Sequence, residues 1–202
     1  MIKKSDVFIF YNHVQYDKNG WRNRNKILIN RKPQWLTIPI KKDKFEKKIN
    51  EVKLVDSNKN LQKIFKTIYL NYKNHPNFNK VIRLIENIFF TKEWNLLSEL
   101  NIEITKKICD YYKIDTEFKL SSDLKNNKDK NFNLILLCKK FNCEKYLTGP
   151  GAKNYLDSEL FKKNEIEIIW HDYIDKPYRQ HKMGNNFYEK LSIIDYMFNE
   201  VI

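Results

Sequence analysis

The stretch YLTGPGAKNYL, residues 146–156, sets Gly149 and Gly151 on either side of Pro150 in a chain that has four glycines in all. Glycine permits a sharp reversal or a close approach of another molecule to the backbone, and Pro150 stiffens the turn between the two. Amides facing outward from such a loop can bind a carboxylate, a phosphate or a polar sugar group, with Lys153 adding positive charge. The spacing matches neither G-x-x-x-x-G-K-[ST] nor G-x-G-x-x-G. No ATP or dinucleotide site is therefore specified, and a tight structural turn stands as the equal alternative.

Three further polar blocks have residue types suited to chemistry. In NHVQY, His13 can carry a proton near neutral pH, Gln15 can orient a polar substrate through both halves of its amide, and Tyr16 adds a phenol. The block follows VFIF, and the end of a strand is a common address for a site in an α/β protein. Ordinary hydrogen bonding of His13 and Gln15 within the fold is the competing account. In WRNRN, the Arg22 and Arg24 forks suit phosphate or carboxylate, Trp21 can cover a sugar or base face, and Asn23 lies between the arginines. At strand spacing Arg22 and Arg24 share one face; a solvated basic edge is the plain alternative. In WHDY, His171 and Asp172 point to opposite sides if the backbone is extended. Acid–base work, a buried polar clamp and contact with Arg22 or Arg24 are all open to them. Tyr178, Gln180 and His181 in DKPYRQH are polar candidates of the same kind, equally compatible with a surface.

Other chemistries find less support. No Ser-His-Asp order or nucleophile elbow specifies hydrolysis. The four histidines are scattered, so no metal site is read. Cys109, Cys138 and Cys143 form an odd set without C-x-x-C spacing. Their apolar settings suit packing better than thiolate chemistry, and they read as reduced thiols of a cytoplasmic protein. The net charge is +13, which favours acidic partners. The basic residues form no single stripe, however, so a nucleic-acid groove is the lesser reading. No apolar run approaches the roughly 18 residues of a membrane span.

The elements that must position these blocks fall into three parts. At 202 residues with 42% apolar content, the chain is long enough for a real core, and it reads as one domain over 1–202. The first part is strand-rich: VFIF, then NKILINRKPQWLTIPI as two strands with a turn near Pro33, then EVKLVDS as a short strand leading to a helix cap at Asp56 or Ser57. The middle changes period. Leu61, Ile64, Phe65, Ile68 and Tyr72 line one helical face, and Val81, Leu84, Ile85 and Ile88 line another, giving a variable helical segment at about 58–114. The last part runs from a polar loop at FKLSSDLKNNKDKNFN through a helix (FNLILLCKKFN), strands KYLT and EIEIIW, and a closing helix SIIDYMFN. This order predicts an α/β fold, with a mixed or mostly parallel sheet and a central helical insert.

Taken together, SDVFIFYNHVQY, WRNRNKI, WLTIPI, YLTGPGAKNYLD, FKKNEIEIIWHDY and LSIIDYMFN resemble the WbqC-like protein family over nearly the whole chain. The family's recurring polar positions correspond to His13, Gln15, Tyr16, Arg22, Asn23 and Arg24, and later to Gly149, Pro150, Gly151, Lys153 and Tyr155. Family chains are expected to carry a segment with His, Gln and Pro ahead of the strand matching SDVFIF; here the sequence starts at MIKKSDVF. The resemblance implies cytoplasmic work on O-antigen or related surface-polysaccharide precursors. A proposed activity in the family is transfer of glycine or another aminoacyl group to a sugar. On that reading the partners are a nucleotide-linked or lipid-linked amino sugar and an activated amino acid, with no activating cofactor named. His13 would be the base and Asp172 would position a polar partner. Gln15, Tyr16, Trp21, Arg22, Asn23, Arg24, Gly149, Gly151, Lys153 and His171 would bind substrate. A non-catalytic binding protein using the same residues is the alternative.

Overall fold

Apolar runs of four to six residues become strands here, and stretches with a 3.6-residue apolar period become helices. The computed structural model describes residues 1–18, 20–42, 47–121, 129–184 and 186–200. In chain order the elements are β1 (Val7–Phe10), β2 (Arg24–Ile29), β3 (Lys32–Thr37), α1 (Ser57–Tyr72), α2 (Phe78–Phe90), α3 (Leu97–Tyr111), β4 (Glu117–Leu120), α4 (Lys130–Lys140), β5 (Lys145–Thr148), α5 (Ser158–Lys163), β6 (Glu167–Trp170) and α6 (Ile193–Asn199). The class is the expected α/β with a helical insert, α1 to α3. The sheet is realised as three two-stranded pairs, two of them parallel and one antiparallel. The chain divides into two compact units, Met1–His13 with Cys109–Ile174, and Val14–Ile108 with the stretch from Asp175.

In the first unit, β1 and β4 pair in parallel, from Val7 opposite Glu117 to Phe10 opposite Leu120. FKL, expected to open the polar loop, belongs instead to β4; four residues show no clear alternation, and pairing with β1, far away in the chain, makes them a strand. Residues 122–128 of that loop lie outside the described residues, and its last four, 130–133, form the first turn of α4. β5 and β6 are also parallel, Lys145 opposite Glu167 and Thr148 opposite Trp170. Parallel neighbours need a crossover, and α5 supplies it. Ile135, Cys138, Phe161 and Ile166 form the core here, with Tyr146 and Ile168 packed against them. Two helices begin on aspartate caps: Asp129 accepts from the backbone amides of Asn131 and Phe132, and Asp157 from that of Leu160.

In the second unit, β2 and β3 form an antiparallel hairpin. Its two turn residues, Asn30 and Arg31, both have positive φ (50° and 62°), as a turn matching the strand twist requires. EVKLVDS contributes isolated bridges, Ile40 to Leu54 and Lys53 to Leu96, and no full strand. α1 buries Leu61, Ile64, Ile68 and Tyr72, and α2 buries Val81, Ile82, Ile85, Ile88 and Phe89, stripes that face inward as the period predicts. α6 packs on α2 and β2. A buried polar knot fastens it: fully buried Asp195 accepts hydrogen bonds from the Tyr72 hydroxyl (2.7 Å) and the Tyr178 hydroxyl (2.6 Å). The Tyr72 oxygen in turn accepts from the Leu28 amide of β2. Among the described residues no helix is long and apolar enough to cross a membrane.

Candidate functional site

The first unit carries its chemistry at the carboxyl ends of its parallel strands. His13 follows β1 and is buried. Its Nδ1 lies 2.6 Å from Ser121 Oγ, just past the end of β4. The Ser121 hydroxyl also lies 3.0 Å from the Phe10 carbonyl, and its oxygen accepts from the Asn12 amide. If the serine proton goes to Phe10, Nδ1–H must donate to Ser121 and Nε2 carries the lone pair, the tautomer a base needs. Beside it, Asn12 Oδ1 is buried with no hydrogen-bond partner among the described residues. The Tyr11 ring packs edge-on to the imidazole, 4.9 Å between centroids. No hydrogen bond joins His13 to Asp172 among the described residues, and Asp172 is exposed.

At the ends of β5 and β6 the glycine loop and His171 come together. The His171 amide donates to the Thr148 carbonyl (2.7 Å), and Lys153 Nζ lies 5.6 Å from the exposed Trp170 ring. Partial desolvation pulls the His171 imidazole below the usual histidine range; Lys4 and the N-terminal ammonium add to this and Asp172 opposes it. The expected reason for the glycines changes here. Neither has a positive φ: Gly149 is extended (φ −89°, ψ 167°) and Gly151 lies in a 3-10 turn, Pro150–Asn154. A Cβ built on either meets nothing within 4 Å. The fold needs neither glycine for torsion or for internal room, so the space in front of them is open to another molecule. Gly151→Ala is therefore expected to stabilise the chain by about 0.4–1 kcal/mol through the unfolded state. Where the loop meets a ligand, the added Cβ takes up that open space and is expected to weaken binding. Thermal unfolding alongside calorimetry with candidate ligands checks both halves.

In the second unit the WRNRN block feeds the hairpin. β2 begins at Arg24, so strand alternation does not extend back to Arg22, and the two arginines take different environments. Arg22 lies 3.9 Å from Asp17. The Arg24 guanidinium sits over the Trp35 ring, 4.6 Å to its centroid, while its Nε donates to the Gly20 carbonyl. Lys26, directly opposite Trp35 in the hairpin register, lies over the same ring at 5.2 Å. Trp21 meets Trp35 edge-to-face at 4.6 Å. Both rings stay exposed, 52% for Trp21 and 41% for Trp35, so the hairpin presents a cationic aromatic face. Asn23 and Tyr16 are used internally: Tyr16 donates to Asn23 Oδ1, and Asn23 Nδ2 donates to the Ile38 carbonyl. Gln15 bridges to Lys48. Beneath Trp21, Arg22 and Arg24 lies a cavity of about 210 Å³ walled by α1, α2, α3 and α6.

The thiols take no part in these arrangements. All three cysteines are free, and burial pushes the Cys138 thiol up to about 11, away from the reactive thiolate. Among the described residues no three His, Cys, Asp or Glu side chains group as metal ligands do.

The WbqC-like protein family model matches residues 1–202. The chain belongs to this family. A relative in Mycobacterium tuberculosis, described as "Uncharacterized protein Rv1507c", is 32% identical over 196 residues, covering 96% of this chain and 84% of the relative. No solved structure gave a significant match. Membership supports a general role in a polysaccharide pathway. For this WbqC-like chain the sequence reading missed Ser121, Trp35 and Lys26. Trp35 and Lys26 had a signal, since hairpin pairing through Asn30–Arg31 puts them opposite each other. Ser121 had none, because its link to His13 spans 108 positions.

Proposed function

We propose that this WbqC-like protein is a cytoplasmic transferase that moves an aminoacyl group, glycyl in the simplest case, onto an amino-sugar precursor of O-antigen or a related surface polysaccharide. The observation that carries the reading is the hairpin face, where two exposed tryptophans lie beside Arg24 and Lys26. Aromatic faces stack on sugars and bases, and the two cations suit the phosphates of a nucleotide- or lipid-linked acceptor. In the reaction the acceptor amine attacks the carbonyl of an activated amino acid. The new C–N bond forms, the bond to the activating group breaks, and the proton leaves the amine. We assign that proton to His13, held by Ser121, with Asn12 Oδ1 as an acceptor for the amine N–H. Backbone groups around Gly149 and Gly151 are assigned to the carbonyl oxygen as charge develops, and Asp172 to orienting a polar partner.

One observation favours the alternative of a non-catalytic nucleotide-sugar binding protein. His13 is 5% exposed and hydrogen-bonded to Ser121, as a structural histidine would be. Mass spectrometry of reactions containing amino-sugar nucleotides and activated amino acids separates the two. Repeated formation of a product heavier by one aminoacyl group is the expected result. His13→Ala is expected to lower that turnover by 10²-fold or more while acceptor affinity stays within a few-fold. Near-normal turnover in a folded His13→Ala protein removes it as the base.

A further inference from the structure

We propose that the cavity behind the hairpin holds the apolar chain of an amphiphilic phosphate, an alkyl or isoprenyl phosphate, whose head group meets Arg22 and Arg24. The inference rests on the reading of the hairpin face as an anionic-acceptor site, and it identifies the acceptor's carrier as lipid-like. The inner wall is aliphatic, with Ile64, Ile68, Val81, Leu84, Ile85 and Ile88 from α1 and α2 among the lining residues. Such a wall gives a sugar hydroxyl no hydrogen bond, so placing a sugar there is unfavourable. An engineered aliphatic cavity of about 150 Å³ stays dry and takes up benzene. A space of about 210 Å³ therefore accepts the first several carbons of a chain.

The other end of the same cavity is different. Exposed Trp21, Arg22 and Asn25 line it together with Arg24 and Asn101; the lining holds two arginines, and the carboxylate beside Arg22, Asp17 at 3.9 Å, forms an exposed pair of the kind that is worth little in water. The arginine-bearing segment is fixed in place, since Asn101 Nδ2 of α3 donates to the Arg22 carbonyl at 2.8 Å. An apolar interior with a cationic rim selects a molecule that is hydrocarbon at one end and anionic at the other. Phosphate suits guanidinium groups geometrically through paired hydrogen bonds.

Calorimetry on the full chain tests this with geranyl phosphate, decyl phosphate, geraniol and inorganic phosphate. At least one chain phosphate is expected to bind tenfold or more tighter than either geraniol or inorganic phosphate. The stronger of geranyl and decyl identifies an isoprenyl or a plain alkyl chain. Leu84→Trp fills the cavity from a half-buried position and is expected to weaken chain-phosphate binding at least tenfold. Ile104→Phe, on α3, serves the same purpose if Leu84→Trp does not fold. Neither variant should alter binding of a nucleoside diphosphate sugar. Chain phosphates binding no tighter than inorganic phosphate, or binding unaffected by a folded cavity-filling variant, overturns the inference. Failure of the hairpin reading shows separately, as chain-phosphate binding that Leu84→Trp weakens but that gains nothing when a sugar is joined to the phosphate, together with absent nucleoside diphosphate sugar binding in the unmodified protein.

Discussion

Asp195→Ala is expected to lower stability by about 2–4 kcal/mol and the unfolding midpoint by about 10 °C for a chain of this length. Asp195 is fully buried and is the acceptor for the hydroxyls of Tyr72 and Tyr178. Alanine leaves the buried Tyr72 hydroxyl without its acceptor, takes the same acceptor from half-buried Tyr178, and loosens α6 from α1 and β2. Asp195→Asn is expected to cost less than half as much. Its carbonyl can accept from Tyr72, and its amide can donate to the Tyr178 oxygen. Burial lifts the Asp195 carboxyl above the usual aspartate range, while the bonds from Tyr178 and Tyr72 act in the opposite direction. A raised folded value means that the carboxyl's stabilising contribution is complete below its unfolded value, near pH 4. That contribution is lost as pH rises through the folded value. The advantage of the unmodified protein over Asp195→Asn should therefore shrink above about pH 4. Urea unfolding of the three proteins from pH 4 to 7 measures it; a gap that stays constant with pH rules out Asp195 as the titrating group.

Trp21→Ala with Trp35→Ala is expected to weaken binding of a nucleoside diphosphate amino sugar by about 10- to 100-fold. Stacking on one aromatic side chain is worth about 1–3 kcal/mol by alanine substitution, and each 1.4 kcal/mol is tenfold. Stability should hardly change. Both rings are about half exposed, and the Lys26–Trp35 cross-strand pair contributes about 0.2–1 kcal/mol. Arg24→Ala on its own should give a smaller loss that grows with the number of phosphates on the ligand. It removes one of the two cations over Trp35, leaving Lys26 and the ring in place. Calorimetry with the sugar, the nucleoside monophosphate and the nucleoside diphosphate sugar distinguishes stacking from charge. Equal affinities for the double tryptophan variant and the unmodified protein would remove the hairpin face as the acceptor site.

Local pattern was enough to locate most elements. KYLT is β5 to the residue, and EIEIIW contains β6. The hairpin, α1, α2 and α6 lie where alternation or helical period put them, because strand and helix preferences are set by near neighbours. The polar blocks around His13, Arg22 and Gly149, and the family they mark, were also legible. What those blocks touch was not. His13 meets Ser121 across 108 positions, and Tyr72 meets Asp195 across 123. β4 is a strand only because β1 lies alongside it. Tyr72 reads as one more apolar residue on a helical stripe, yet its hydroxyl anchors β2 and α6. The two arginines looked equivalent by spacing, until the start of β2 at Arg24 put one over a tryptophan and the other beside Asp17. The glycines look like turn makers in the sequence, while their torsions and the empty space around them show that the fold itself requires glycine at neither position. Each of these outcomes depends on strand register and long-range packing, which the propensities of neighbouring residues do not encode.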